Sequence, residues 1–233
     1  MNLDIIVSKE GSSDMGNNSV WDEKSGSFIQ KKGSMLILLE MMIESHSSSC
    51  KATIVERNEL SRYYKTVKRF NLKLPGSKFG RAAGHINQAA SLGFMAIEKR
   101  SHIAVYFHDC DYTRSAPSYI LQQFIDAVEA GFKESAYKAG VPMIPKPCSE
   151  AWLLALSENS SKGSNYYENL PGNLSAKRDH AKDLLENAGY NNEEKRCLLV
   201  EKSYSKNKLD TYSFNNFKNK LDAVVTNIMA KNA

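Results

Sequence analysis

The chain has 233 residues, 42% of them hydrophobic, which is enough for one elaborated domain with a sizeable core but too little for two independent enzymes. The longest apolar run, Met35 to Ile43, is broken by Glu40, and no basic stretch leads into an apolar one near the amino terminus; neither a membrane span nor a signal peptide is expected, and the expected location is the cytoplasm. Cys50, Cys110, Cys148 and Cys197 lie far apart and the five histidines lack ligand spacing, which argues against a zinc site, a disulfide framework and a His-based metal centre.

In chain order, Leu3 to Ser8 is a β-branched apolar run that predicts a buried strand delivering Glu10 to its carboxyl end. Asp14 to Gly33 is polar and rich in Gly, Ser and Asn, which predicts a loop. Ser34 suits the N-cap of a helix over Met35 to Ser45, with Met35, Leu38, Leu39 and Met42 on one face. Ala52 to Val55 predicts a second strand.

The segment Arg57 to Arg81 carries eight basic side chains against one acid, Glu59, a local +7 that exceeds the +5 of the whole chain. Such a concentrated positive field attracts a polyanion. Arg62, Lys65, Lys68 and Arg69 alternate with Tyr63, Tyr64 and Phe70, the composition that neutralises phosphates and stacks exposed bases; Lys73, Lys78 and Arg81 extend the patch. A solvated face with inward aromatics is the plainer alternative. Pro75-Gly76-Ser77 predicts a turn; Gly76, Gly80 and Gly84, interleaved with Lys78, Arg81 and His85, suit a phosphate held at a helix N-terminus or, more simply, a flexible lead-in to a helix over Ala82 to Lys99.

Ser101 to Phe107 is the clearest strand and ends at His108-Asp109-Cys110-Asp111. An amphipathic helix is expected over Tyr119 to Ala136, a strand over Val141 to Ile144, and a helix after Ser149 through Trp152 and Leu156. Two further helices are expected, Ser175 to Ala188 closed by Gly189, and Ser213 to Ala230. Alternating strands and helices predict an α/β fold with an open, mostly parallel sheet, in which ligands sit outside the carboxyl ends of the strands. Glu10, Asp109 and Asp111 occupy such positions. Three carboxylates there would repel one another unless a hard cation joined them, so they suit Mg2+ or Mn2+ and phosphodiester chemistry. Turn-capping aspartates are the simpler alternative.

The strand Leu3 to Ser8 followed by Lys9-Glu10-Gly11, with Ile103 to Phe107 followed by Asp109-Cys110-Asp111, resembles the Toprim domain of topoisomerases, primases and OLD-family nucleases. The run from Pro145 through Glu150 to Leu154 is similar to the P-x(n)-E-x-W-L-L signature of small stand-alone Toprim nucleases of prokaryotic antiphage defence, and Tyr212-Ser213-Phe214 before the last helix is also similar to that group. The resemblance implies a Toprim-like sheet flanked by helices over residues 1–157 and a helical extension over residues 158–233. It makes Glu10 the general acid/base and a metal ligand, Asp109 and Asp111 metal ligands, Glu150 an additional acid and Lys146 a transition-state cation. It further implies a metal-dependent nuclease acting as a toxic effector in abortive infection, and allows for a partner ATPase; the aromatic late helices leave room for a homodimer.

Ser149 as an N-cap with Glu150 in the first helical turn accounts equally well for that pair, and a solvated loop position for Lys146. Two rivals stand beside the nuclease. One is a non-catalytic Toprim subunit that holds nucleic acid. The other is a haloacid-dehalogenase-like phosphatase with Asp109 as nucleophile and Asp111 as general acid, although no later apolar strand ends in the pair of acids that family needs. No P-loop motif occurs.

Overall fold

The computed structural model describes residues 1–10, 14–22, 27–46, 49–67, 82–110, 118–157, 163–171, 180–204 and 209–232. Its centre is a four-stranded, all-parallel sheet in the order β4-β1-β5-β6, formed by β1 (Asn2–Lys9), β4 (Ser49–Glu56), β5 (Ile103–Phe107) and β6 (Gly140–Met143). Side chains alternate between the two faces of a strand, and here both faces are buried. Leu3, Ile5 and Val7 of β1, with Ile103, Val105 and Phe107 of β5, enter one core; Ile6, Ala104 and Tyr106 enter the other.

The first core is covered by α1 (Ser34–Glu44), α5 (Ser149–Leu156), α7 (Ala181–Asn187), α8 (Glu193–Ser203) and α9 (Tyr212–Asn232). The second is covered by α2 (Arg57–Val67), α3 (Ala83–Glu98) and α4 (Ser118–Glu134). A short helix, α6 (Ser164–Tyr167), precedes α7. The helices after residue 157 share one core with the sheet: Trp152 of α5 is fully buried, stacks on Phe217 and meets Phe214 edge-on, both from α9.

From β1 the chain crosses through α1 to β4 on one side, then returns through α2 and α3 to β5 on the other side of β1. The strand order therefore reverses between β1 and β5, where an open α/β sheet forms its binding crevice. The ladder between these strands stops at Val7 and Val105; beyond it the Ser8 hydroxyl takes over, accepting from the Phe107 amide at 2.9 Å.

Three expectations need correction. The polar stretch Asp14 to Gly33 is not a loop: it contains an antiparallel hairpin of β2 (Gly16–Asp22) and β3 (Ser27–Lys32), in which Val20 pairs Ile29 and Trp21 pairs Phe28. Gly16 at its base has φ +82, and a Cβ there would lie 1.9 Å from the Lys31 carbonyl oxygen. Ser34 is the first helical residue of α1, not its N-cap, because Glu193 of α8 accepts from the Ser34 amide at 2.6 Å and so fills the capping role. The helix expected from Ser175 is seen as Ala181–Asn187, residues 172–179 lying outside the described residues; Gly189, at φ +99, follows it. Three helices, α2, α6 and α8, were not expected.

Candidate functional site

Glu10 follows β1, Arg57 follows β4, His108 and Asp109 follow β5, and the segment Lys146 to Ser149 follows β6. All four strand ends thus contribute to one edge. Lys9 anchors the hairpin: its buried ammonium lies 2.7 Å from Glu56 and donates to the Gly16 carbonyl at 3.1 Å and to Asn17.

Glu10 is held on both oxygens. Its Oε1 lies 3.0 Å from Arg57 Nη1; its Oε2 lies 2.5 Å from His108 Nδ1 and accepts from the Asp109 amide at 3.1 Å. Burial raises its pKa, but the His108 hydrogen bond and charge, the Asp109 amide and Arg57 outweigh burial and leave it below the ordinary range. Glu10 is therefore ionised at neutral pH and holds no proton to donate.

Parity along β5 splits the next two residues between layers. His108 falls on the side of Ala104 and Tyr106, its ring 4.1 Å from His85 of α3 and 5.2 Å from Phe124 of α4, centroid to centroid. His85 bonds the Tyr106 hydroxyl, which in turn donates to Gln88. With that hydroxyl proton committed to Gln88, His85 Nδ1 carries its own hydrogen. Burial first, then His108 and Arg57, hold its pKa down to about 3, so its ring is neutral. A cavity of about 10 Å3 beside Glu10, Gln88 and Tyr106 has room for about one water, so a substrate must approach from outside.

Asp109 falls on the opposite side, where its Oδ1 accepts from the Ser149 amide at 2.9 Å. Ser149, one reading of which made it the N-cap of α5, is instead the first helical residue, following Cys148 as N-cap, and Asp109 serves its amide. Its hydroxyl donates to Asp14 Oδ1 at 2.7 Å. Asp14 is half-buried: desolvation, then the charges of Glu150 and Glu193, push its pKa to about 6 against the Ser149 hydrogen bond. Glu150 lies 3.4 Å from Arg196 Nη1 of α8, which also faces Glu193 at 4.0 Å. A polar chain thus runs from Arg57 through Glu10, Asp109 and Ser149 to Asp14, and onward through Glu150 to the C-terminal helices.

The sequence-predicted residues are placed unequally. Glu10 meets the main-chain amide of Asp109 while the Asp109 carboxylate turns to Ser149, Glu150 lies one residue beyond that serine, and Arg62 and Lys65 are exposed on α2. The Lys146 side chain is buried, not solvated, and its amide donates to Ser213 Oγ at 3.3 Å. Asp111, Lys68, Arg69, Lys73, Lys78 and Arg81 lie outside the described residues, as does the turn expected at Pro75 to Ser77. Arg57, His108, Asp14 and Arg196 were not singled out as site residues, and His85 only as part of the glycine loop.

Hard oxygen donors such as Asp109 and Asp14 suit magnesium or manganese. The placement nevertheless does not amount to a cation site: among the described residues no three His, Cys, Asp or Glu side chains are disposed to hold a metal ion, and both Glu10 oxygens are engaged. No disulfide forms among the described residues, and none of their helices is long and apolar enough to cross a membrane.

No family model matches the chain, and no curated protein or solved structure matches it.

Proposed function

We propose that the chain is a divalent-metal-dependent nuclease that hydrolyses phosphodiester bonds of DNA or RNA, with the strand ends of β1 and β5 as its active site. One observation carries the reading: at the point where strand order reverses, the Glu10 carboxylate accepts from the Asp109 main-chain amide at 3.1 Å, so the two acid residues of neighbouring strands adjoin beside an exposed basic helix that begins at Arg57. In hydrolysis a water oxygen adds to phosphorus, the ester P–O bond breaks, and the proton passes to the leaving oxygen. Ionised Glu10, oriented by His108, is placed to take a proton, and the Ser149 amide orients Asp109. The exposed Arg62 and Lys65 supply sequence-independent contacts to phosphate. Asp111 belongs to the same proposal as the further metal ligand. The Toprim resemblance adds the role of a toxic effector in antiphage defence, with a partner ATPase as the class of protein that restrains or triggers it.

The engagement of Glu10 by Arg57 and His108 favours a second reading, a subunit that binds nucleic acid without cutting it. One assay separates the two. Purified chain is incubated with plasmid, single-stranded DNA and tRNA in Mg2+ or Mn2+, beside Glu10→Ala and Asp109→Ala. Cleavage lost in both variants supports the nuclease; binding without cleavage supports the second reading; turnover of a phosphomonoester alone would point to the phosphatase chemistry of the same acids.

A further inference from the structure

We infer that Arg57 is an anion switch, holding Glu10 when no substrate is bound and passing to a substrate phosphate when a phosphodiester arrives. The inference rests on the nucleolytic reading above and names the residue through which the polyanion reaches the acids. Among the described residues, Glu10 Oε1 bonds only Arg57, whereas Oε2 bonds both His108 and the Asp109 amide. Departure of Arg57 therefore frees one oxygen while the other keeps the carboxylate in place.

The two arginines of the site differ in how firmly they are held. Arg196, 8% exposed, faces Glu150 and Glu193 and donates to the Tyr190 carbonyl at 3.3 Å. Arg57, 45% exposed, has Glu10 as the one side-chain partner among the described residues. The Arg57 side of the pair is open to solvent, so Arg57 can exchange Glu10 for another anion at little cost. A phosphodiester presents two non-bridging oxygens to the guanidinium fork, a stronger charge-assisted pair in a geometry that lysine does not reproduce. Lys65 lies two helical turns beyond Arg57, roughly 12 Å along the helix, and both are exposed. A strand lying along α2 would meet Lys65 and Arg57 in succession and end at Glu10.

In the metal-dependent reaction proposed above, Arg57 and a divalent ion would compete for the same Glu10 oxygen. Two measurements test it without cleavage. With a labelled oligonucleotide carrying phosphorothioate linkages, in EDTA, Arg57→Ala should weaken binding several-fold and reduce the salt slope by about one, with Arg57→Lys in between. With Mn2+ alone, followed by electron paramagnetic resonance, Arg57→Ala should bind the ion several-fold more tightly than wild type, and adding Glu10→Ala should abolish the gain. Oligonucleotide binding with an unchanged salt slope, or Mn2+ binding unchanged or weakened in Arg57→Ala, would overturn the switch. Absence of cleavage by wild-type protein would sink the nuclease reading separately, since neither binding measurement depends on turnover.

Discussion

His108 Nδ1 stands 2.5 Å from Glu10 Oε2, across the gap that opens where the β1–β5 ladder ends. The ring is fixed from behind by His85 and Phe124, so the histidine sets the direction of the carboxylate. His108→Ala should lower the single-turnover cleavage rate by roughly 10–100-fold with little change in substrate affinity, a loss in the lower range for a displaced proton-transfer group. A variant that cuts at the wild-type rate would remove His108 from the site.

Asp14 offers a pH test. Its folded-state pKa, about 6, lies above the ordinary 3.8, so folding favours the protonated form. That contribution is complete below the ordinary value and is lost as pH rises through about 6, a difference of about 3 kcal/mol at most. Asp14→Asn keeps an acceptor for the Ser149 hydroxyl and removes the charge. In EDTA, urea midpoints of the variant should match wild type near pH 4 and exceed it at pH 7–8. Parallel midpoints across that range would show that Asp14 carries no such penalty.

Arg196 neutralises Glu150 and Glu193 from within the C-terminal part of the chain. Removing one partner of a buried pair leaves the other charge uncompensated, so Arg196→Ala should cost about 3 kcal/mol at neutral pH, measured by urea unfolding. Arg196→Lys should recover part of the loss. A cost below about 0.5 kcal/mol would mean that the pair is solvated.

Ser213 joins three segments. Its hydroxyl donates to Glu168 and accepts from Trp152 Nε1 at 2.8 Å and from the Lys146 amide at 3.3 Å. Ser213→Ala strands these buried groups at about 1–3 kcal/mol each where no substitute forms. The expected loss is about 3 kcal/mol, lowering Tm by about 10 °C. A shift under about 2 °C would show that the groups find other partners.

The sheet was legible in the sequence because β1 and β5 centre on short apolar runs, Ile5 to Val7 and Ile103 to Phe107, and the placement of Glu10 and Asp109 followed from it. The hairpin was not, because its strands are mostly polar and its apolar pairs, Val20 with Ile29 and Trp21 with Phe28, come from opposite ends of a Ser- and Gly-rich stretch. Helix α8 lacks a clean apolar face, yet it had a readable start: Asn192 accepts from the Lys195 amide, and Glu193 and Glu194 occupy the first turn. His108 was readable in retrospect from strand parity, which sends it and Asp109 to opposite layers. Nothing local marks Asp14, Arg57 or Arg196, whose roles arise from contacts between distant elements.

Strand β4 borders the sheet, yet its free side is already taken. Asn18 of β2 donates to the Ile54 carbonyl at 2.5 Å and accepts from the Ile54 amide at 2.8 Å, and Gln30 of β3 donates to the Ala52 carbonyl at 3.1 Å. Side-chain amides thus imitate a neighbouring strand without extending the sheet, and a passing extended peptide finds those main-chain groups spoken for. The hairpin protects against polymerisation while its root, through Lys9, steadies the strand end that carries Glu10.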